Sequence, residues 1–392
     1  MTDEDKQRGL STRAIHGHSS RDAYGSPYTP IYNTTTFGFD ATADLLDVMD
    51  GRKRGGLYTR YGLNPTIFAL EETLAGLESA EAAWVFCSGM AALSALFLTH
   101  GRHGIACIGD AYGGTLELLE QQLPQLGLRT HCLLGSEAGQ LDALLDDGVR
   151  LVFLETPTNP TLEIADIRAL AAKAHAHGAL LAIDNTFASP VNQRPLELGA
   201  DVVMHSATKY LGGHSDLTAG VLMGSKALLE PVWNWRKNLG SMPAPETAAL
   251  LSRSLRTLEV RVRQHNAGAQ AVAEAMQCHP RIARVYYPGL PGFPGHELAA
   301  AQMHGFGGML SIDVKGSGAD ATAVADRLRL IRLAPSLGGV ESLVTQPCTT
   351  THHGQTADER ARRGISDSML RLSIGLEDPS DLIADLDQAL HT

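Results

Sequence analysis

Short apolar runs alternate with amphipathic segments between about residues 81 and 224, and this alternation is the clearest pattern in the chain. Runs at 83–87, 103–108, 151–154, 180–183 and 201–204 are predicted as strands, and segments near 89–100, 114–123 and 166–177 as helices. Such alternation is typical of an α/β fold whose mostly parallel sheet is covered on both faces. Because ligands of these sheets bind beyond the carboxyl ends of the strands, the residues that follow each strand are the candidates for chemistry.

The fifth strand delivers a lysine to that edge. The apolar run 202–204 leads into a turn containing Ser206, Thr208 and Lys209, and a glycine-rich loop follows. A lysine flanked by two hydroxyl groups can meet a carbonyl and a phosphate together, and pyridoxal phosphate carries both groups. On these residues alone, an ordinary surface lysine is an equally good interpretation.

The other strand ends carry residues that suit the same ligand. Gly89 and Met90 open a helix directly after the first strand, where free backbone amides favour a phosphate. Tyr112, before two glycines, offers a flat ring with an ionisable tip, or a core tyrosine beside a tight turn. Asn159, between two prolines, is a donor after the third strand. Asp184 directly follows four apolar residues, and a buried carboxylate needs a cation or several donors.

Residues 1–60 are predicted to form an arm rather than a packed domain. The stretch 25–37 is rich in turn-forming residues and lacks helical periodicity, so it needs another surface, and a second subunit is a reasonable candidate. Tyr58 and Arg60 are two apart in an extended segment and therefore point the same way. Such a pair can clamp a phosphate, although a packing tyrosine beside a surface arginine fits the same pattern.

Composition narrows the possible partners of the 392-residue chain. With 44% hydrophobic and 19% charged residues it is an ordinary globular sequence of two or so domains. The formal net charge of -11 argues against nucleic acid or an anionic membrane, and favours a small molecule. Five widely spaced cysteines indicate a reducing compartment, and no histidine or cysteine pair has metal-site spacing. Residues 1–8 lack an apolar signal segment and no apolar run is long enough to span a membrane, so a cytoplasmic location is expected.

Taken in this order along the chain, these motifs resemble one family. The sequence is similar to the pyridoxal phosphate enzymes of cysteine and methionine metabolism, which include cystathionine γ-lyase, methionine γ-lyase, cystathionine γ-synthase and cystathionine β-lyase. The resemblance runs from Thr12 to the C-terminus and is tightest at residues 88–92, 112–115, 206–210, 336–342 and 371–378. It implies the type I (aspartate aminotransferase-like) fold, with an arm at 1–60, a large cofactor domain at 61–249 and a smaller α/β domain at 250–392. It also implies a homotetramer built from tight dimers that share their active sites.

The resemblance also implies roles for individual residues. Three would act in catalysis, as Schiff-base lysine, as partner of the cofactor's pyridine nitrogen, and as stacked ring and proton donor: Lys209, Asp184 and Tyr112. Six would hold the cofactor phosphate, the last two of them from the neighbouring subunit: Gly89, Met90, Ser206, Thr208, Tyr58 and Arg60. Three would bind the amino-acid substrate, chiefly through its α-carboxylate: Arg371, Ser336 and Asn159.

The activity implied is γ-elimination at the Cγ–S bond of a sulfur amino acid, which releases a thiol, 2-oxobutyrate and ammonia. Pro335 stands where cystathionine γ-lyases usually carry a glutamate, which favours a simpler thioether such as methionine. Gly114, however, stands where methionine γ-lyases often carry a cysteine, so the subgroup stays open. The alternatives are β-elimination on cystathionine or cysteine, and γ-replacement by a cystathionine γ-synthase or O-acylhomoserine sulfhydrylase. A non-catalytic binding protein is disfavoured by the joint presence of Lys209, Asp184 and Arg371.

Overall fold

The computed structural model describes residues 8–18 and 22–391. The parts of the predicted arm at 1–7 and 19–21, including the N-terminal segment expected to carry no signal peptide, lie outside these ranges. Within them, no helix has both the length and the apolar character needed to cross a bilayer.

A seven-stranded sheet forms the centre of the first part of the chain. Its strands lie in the order β1-β7-β6-β5-β4-β2-β3, and all run parallel except β7, which is antiparallel to both of its neighbours. The predicted α/β class with a mostly parallel sheet is therefore confirmed. The bounds are β1 Ala82–Phe86, β2 Ile105–Ile108, β3 Thr130–Leu133, β4 Leu151–Glu155, β5 Leu180–Asp184, β6 Val202–His205 and β7 Gly220–Gly224.

The five predicted strands are present, but β3 and β7 were not predicted. β3 is a short edge strand in which polar and apolar residues mix, so it shows neither an apolar run nor clean alternation. β7 is a short apolar run bounded by Gly220 and Gly224, residues that usually mark turns. Gly220 is required there because a Cβ would collide with the carbonyl oxygen of Ser88.

Helices cover both faces of this sheet and bury two apolar clusters against it. The helix Gly89–His100 begins at the predicted place because the hydroxyl of Ser88 accepts the amide of Ala91 at 3.1 Å. The α-helices are Leu10–His16, Thr42–Met49, Pro65–Leu77, Gly89–His100, Gly113–Glu117, Leu123–Gln125, Leu141–Asp146, Ile167–Ala176, Ser189–Asn192, Lys226–Leu239, Pro245–Leu255, Leu258–Gln277, His296–Gln302, Gly318–Arg327, Ala357–Arg362 and Pro379–Leu390. A π-helical turn, Leu118–Gln122, joins the fifth to the sixth.

A second sheet of five strands lies in the C-terminal part of the chain. Its order is β10-β11-β12-β9-β8, with mostly antiparallel pairs. The bounds are β8 Ile282–Tyr286, β9 Met309–Val314, β10 Arg332–Leu333, β11 Leu343–Thr345 and β12 Met369–Ser373. The third residue of β12 is Arg371, so one predicted substrate-binding residue lies on a strand of this second sheet. The domain boundaries at 60 and 249 stay predictions.

Candidate active site

The phosphate candidates meet where β1 and β6 end. The amides of Gly89 and Met90, the first two of their helix, have no acceptor within it. A Cβ on Gly89 would lie only 3.0 Å from the Cβ of Ser206, so the helix start directly adjoins the lysine turn. The amide of Ser206 is itself fixed by the hydroxyl of Thr186 at 2.8 Å. Free amides, a positive helix end and a neighbouring hydroxyl together form an anion-binding arrangement.

Thr208 belongs to the same turn, but its hydroxyl group already has partners. It donates to the carbonyl oxygen of Ala219 at 3.2 Å and accepts the amide of that residue at 3.0 Å. A hydroxyl has one proton, so a phosphate contact by donation from Thr208 requires release of the Ala219 carbonyl.

Lys209 reaches from this turn toward the second sheet. Its Nζ donates to the hydroxyl of Ser336 at 3.0 Å, a contact between residues that are far apart in sequence. Partial burial, and to a smaller extent the charge of Arg371, lower the pKa of the Lys209 ammonium group. The lysine is therefore more easily deprotonated than an exposed one, as a nucleophile or base requires.

Arg371 is buried on β12, yet part of its guanidinium group is left for a ligand. Its Nη1 donates to Oδ1 of Asn159 at 2.9 Å and its Nη2 approaches the carbonyl oxygen of Ser336 at 3.4 Å. Its buried Nε has no hydrogen-bond partner within the described residues. Burial lowers the pKa of Arg371 to about 10, so the group stays charged at neutral pH. A buried cation with an unused donor fits an anionic ligand such as a carboxylate.

Asp184 closes β5 and is 9% exposed. Its Oδ1 accepts the amide of Thr186 at 2.9 Å. Burial raises the pKa of Asp184, while the hydrogen bonds from Thr186 and the nearby His205 act in the opposite direction. The carboxyl group thus lacks full compensation for its charge, and a cationic ligand would supply it.

Tyr112 follows the end of β2 and its side chain is half exposed. Its amide donates to Oε1 of Glu155 at 2.7 Å, which holds the turn against the end of β4. The ring folds back over Gly114, where a Cβ would lie 2.7 Å from Cε1 of the ring. Any side chain at position 114 would therefore displace the ring from this position.

Tyr58 and Arg60 do not contact the other candidate residues of the same chain through the described hydrogen bonds and ion pairs. Arg60 Nη1 donates to the carbonyl oxygen of Lys237 at 2.7 Å, and its guanidinium carbon lies 5.3 Å from the centroid of the Tyr58 ring. Among the described residues, no hydrogen bond or ion pair joins either side chain to Lys209 or Asp184. The prediction of one extended segment for both residues is wrong, because Tyr58 is extended but Arg60 lies in a 3₁₀ turn, Thr59–Tyr61; their side chains nevertheless lie against each other.

Glu155 is a member of this site that sequence reasoning missed. It closes β4, is 6% exposed, and stands in register with Asp184 on the neighbouring strand. Adjacent strands are about 4.8 Å apart, and two unit charges about 5 Å apart at an effective dielectric constant of 20 repel by roughly 3 kcal/mol. Burial, and then the charge of Asp184, raise the pKa of Glu155 well above its usual range. The signal was available, because Glu155 follows four apolar residues as Asp184 does.

These groups fit pyridoxal phosphate by the chemistry of their donors. The amides at the helix start and the hydroxyl of Ser206 suit a phosphate, the undercompensated Asp184 suits a pyridinium, and Lys209 suits an aldehyde. The unused Nε of Arg371 remains for the carboxylate of an amino acid.

Away from these residues, a cluster of potential metal ligands lies at the end of the last helix. His279, Asp387 and His391 stand close together, with Nε2 of His279 at 3.3 Å from the carboxylate. Hydrogen bonds already use these rings, since Nδ1 of His279 accepts the amide of Arg281 at 3.2 Å and Nδ1 of His391 meets the carbonyl oxygen of Asp387 at 2.7 Å. The cluster is accounted for as a hydrogen-bonded helix terminus.

Known proteins match this chain over its full length. Residues 11–391 match the family model of the Cys/Met metabolism PLP-dependent enzymes. L-methionine gamma-lyase of Pseudomonas deceptionensis is 42% identical over 100% of this chain and 99% of its own, and cystathionine gamma-lyase of Dictyostelium discoideum is 42% identical over 97% of each. The solved structure of cystathionine gamma synthase from Xanthomonas oryzae pv. oryzae with cystathionine has a TM-score of 0.91, at 40% identity over 98% of both chains.

The chain belongs to the Cys/Met metabolism PLP-dependent enzyme family, and its cofactor is pyridoxal phosphate. The resemblance seen in the sequence and the fold it implies are both confirmed. An amino-acid substrate fits the family. Because lyases and a synthase match at nearly the same identity, the family is established at a coarser level than the individual reaction.

Proposed function

We propose that this enzyme cleaves the Cγ–S bond of a sulfur amino acid, methionine or cystathionine, by γ-elimination to a thiol, 2-oxobutyrate and ammonia. The observation that carries the proposal is the chain of contacts from Lys209 through Ser336 to Arg371. It places a lysine of lowered pKa beside the buried cation that would hold the substrate carboxylate. A base so placed can reach the protons next to the substrate's α-carbon.

The proposed roles follow from these positions. Arg371, assisted by Asn159 and Ser336, fixes the carboxylate of the substrate and so orients its α-carbon toward Lys209. Lys209 Nζ would take the α-proton, give it up to the bound cofactor, and so be free to take a proton from the β-carbon, while Tyr112 would give a proton to the departing sulfur. The bound cofactor supplies an electron sink for these steps.

The remaining site residues would hold the cofactor in place. Asp184 would pair with its pyridine nitrogen, whose positive charge offsets the cost of burying the carboxylate. Gly89 and Met90 would bind the phosphate through their amides, with Ser206 adding a hydroxyl group and Thr208 a second one once its proton leaves the carbonyl oxygen of Ala219. Each of these contacts uses a donor or acceptor that the fold brings to the carboxyl edge of the first sheet.

γ-Replacement is the second candidate, favoured by the likeness to a cystathionine gamma synthase structure. The two reactions share all early proton transfers and differ in whether a thiol nucleophile enters at the γ-carbon. Pro335 cannot offer the carboxylate that would recognise a distal amino group at that position, which favours methionine. Gly114 leaves the space beside Tyr112 to the ring itself, and it separates this chain from the usual methionine γ-lyase pattern.

Product analysis on four substrates tests the reaction class. Incubation with methionine, cystathionine, cysteine and O-acetylhomoserine, followed by identification of the keto acid, should give 2-oxobutyrate from methionine or cystathionine without an added thiol. Pyruvate as the only keto acid would show β-elimination instead. Thioether formation from O-acetylhomoserine and cysteine, without comparable elimination, would show γ-replacement.

We propose further that Tyr58 and Arg60 complete the phosphate site of a neighbouring subunit in a homotetramer of tight dimers. Both side chains are exposed or partly exposed on their own chain, and within its described part no hydrogen bond or ion pair joins them to Lys209 or Asp184. In a two-fold dimer, each subunit would then supply the same pair to the other, giving two shared sites.

Mixing two inactive variants tests this sharing. Arg60→Ala and Lys209→Ala each damage both sites of their own dimer, but a hybrid dimer carries one site with both residues intact. Co-expression at equal levels should therefore restore about a quarter of wild-type activity, since about half of the dimers are hybrids. The matched control mixes Arg60→Ala with Arg371→Leu at equal levels, a pair that should restore activity to the same extent. No gain in either mixture would place Arg60 outside the shared site.

A further inference from the structure

Glu155 and Asp184 form a pair of carboxyl groups at the ends of two adjacent strands. They are register partners of β4 and β5, and both are at least nine-tenths buried. Side chains alternate along a strand, so each shares the face of the residue two positions earlier. Those residues, Phe153 and Ala182, belong to one apolar cluster, which places both carboxyl groups on the same side of the sheet.

The two groups are compensated unequally. Asp184 receives the amide of Thr186 and, in its proposed role, faces the cationic ring nitrogen of the cofactor. Glu155 receives only the amide of Tyr112 among the described hydrogen bonds. Two like charges this close disfavour each other's ionisation. The proton is therefore held by Glu155, the carboxyl group whose negative charge has fewer stabilising partners.

The groups that face Glu155 from neighbouring elements offer it no cation. Within the described residues these groups are Asp184 on β5, the thiol of Cys107 on β2, and, in the turn after β2, Asp110 and the backbone amide of Tyr112. Asp110 is itself paired with Arg363 at 2.5 Å, and its other oxygen lies 3.4 Å from Nε2 of His352. The guanidinium group of Arg363 is thus engaged by a third acid, and Glu155 gains little from it.

We propose that Glu155 carries a proton in the working enzyme, so that Asp184 is the single anion of the strand-end pair and neutral Glu155 positions the turn that bears Tyr112. This inference rests on the proposed role of Asp184 and on no particular thioether. It makes Glu155 a positioning residue, because it acts through the backbone of Tyr112 and through the charge of its neighbour. The raised pKa of Glu155 agrees with this arrangement.

The first test detects the proton without using activity. The holoenzyme near pH 7 should show an infrared carbonyl band of a protonated carboxyl group that is lost in Glu155→Gln, whose amide mimics the neutral acid. Glu230→Gln, at an exposed position on the helix Lys226–Leu239, is the matched control and should leave the band in place. Absence of the band from the wild type, or its persistence in Glu155→Gln, would overturn the proposal.

The second test uses the pH dependence of stability. An acid whose folded pKa is raised stabilises the fold relative to its ionised form at low pH, and loses that advantage as the pH rises from about 4.3 toward the folded value. Glutamine cannot ionise, so the Tm of Glu155→Gln minus that of the wild type should increase by about 2 °C or more across this window. If the Tm difference for Glu155→Gln changes with pH as little as that for Glu230→Gln, Glu155 does not retain a proton in the folded enzyme.

The third test separates the charge from the hydrogen bond. Glu155→Gln keeps an acceptor for the amide of Tyr112, and Glu155→Leu removes it at similar volume. We expect kcat to fall about tenfold or more in Glu155→Leu and cofactor affinity to weaken, with glutamine restoring most of both. A loss in Glu155→Gln as large as that in Glu155→Leu would mean that the ionised form is needed. The infrared and Tm measurements use no substrate. They can therefore contradict the protonation of Glu155 even if the proposed reaction is correct, and support it even if the proposed reaction is wrong.

Discussion

Replacing Lys209 by alanine is expected to lower kcat by about 10⁴-fold or more. The side chain is proposed both to tie the cofactor covalently and to move the protons of the reaction, and a positioned base alone contributes about 10²–10⁴-fold. Its Nζ contacts Ser336 at 3.0 Å, and no other lysine of the described chain makes that contact. The measurement is the rate of keto-acid release, with the visible absorption band of the lysine-bound cofactor as a second observable.

Lys226→Ala is the matched control, because it removes an exposed lysine from the start of a helix. This variant should keep both the band and the rate. Lys209→Ala should lose the band but still bind substrate, since Arg371 and Asn159 remain in place. Substantial turnover by Lys209→Ala would assign the reaction to another base.

Replacing Arg371 by leucine is expected to lower kcat/KM by about 10²–10³-fold, mostly through KM. Loss of one partner from a buried, hydrogen-bonded charge pair costs about 2–5 kcal/mol, and the substrate carboxylate would lose its bidentate cation. Asn159 would also lose the partner that now holds its side chain at 2.9 Å. Lysine at this position should recover only part of the loss, because it provides a single point of charge instead of a planar fork.

A substrate without the carboxylate provides the control for Arg371. Methioninamide should be a poor substrate of the wild-type enzyme. Arg371→Leu should lower kcat/KM for methioninamide far less than it lowers kcat/KM for methionine. The ratio of the two penalties measures the coupling between guanidinium and carboxylate. If both substrates suffer equally, Arg371 supports the fold of β12 and does not read the substrate.

The sequence predicts which polar residues stand at the strand ends because burial and position are both visible in it. An apolar run followed by an acid is the pattern that identified Asp184, and the same pattern at Glu155 was passed over. β7 is hidden from sequence patterns because glycine usually marks a turn, whereas Gly220 is needed to let the chain pass the Ser88 carbonyl, a contact with a residue far away in sequence. The spacing of apolar residues shows which face of an element is buried, but it does not show which residues pack against that face.

The partners of Lys209 illustrate what lies beyond sequence patterns. Arg371 stands on the second sheet and Ser336 in the loop between its strands β10 and β11, and only the resemblance to a known family indicates these two residues from the sequence. Tyr58 and Arg60 go one step further, because the residues that they are proposed to join belong to another copy of the chain. Tests on hybrid dimers address that step directly.

In the proposed site, the contact between Lys209 and Ser336 would join the residues that hold the cofactor at the first sheet to those that hold the substrate carboxylate near the second. Exchanges around positions 335 and 336 can therefore alter which amino acid is accepted while the anchoring of the prosthetic group is conserved. For protein engineers, this makes the loop between β10 and β11 the natural place to redirect selectivity.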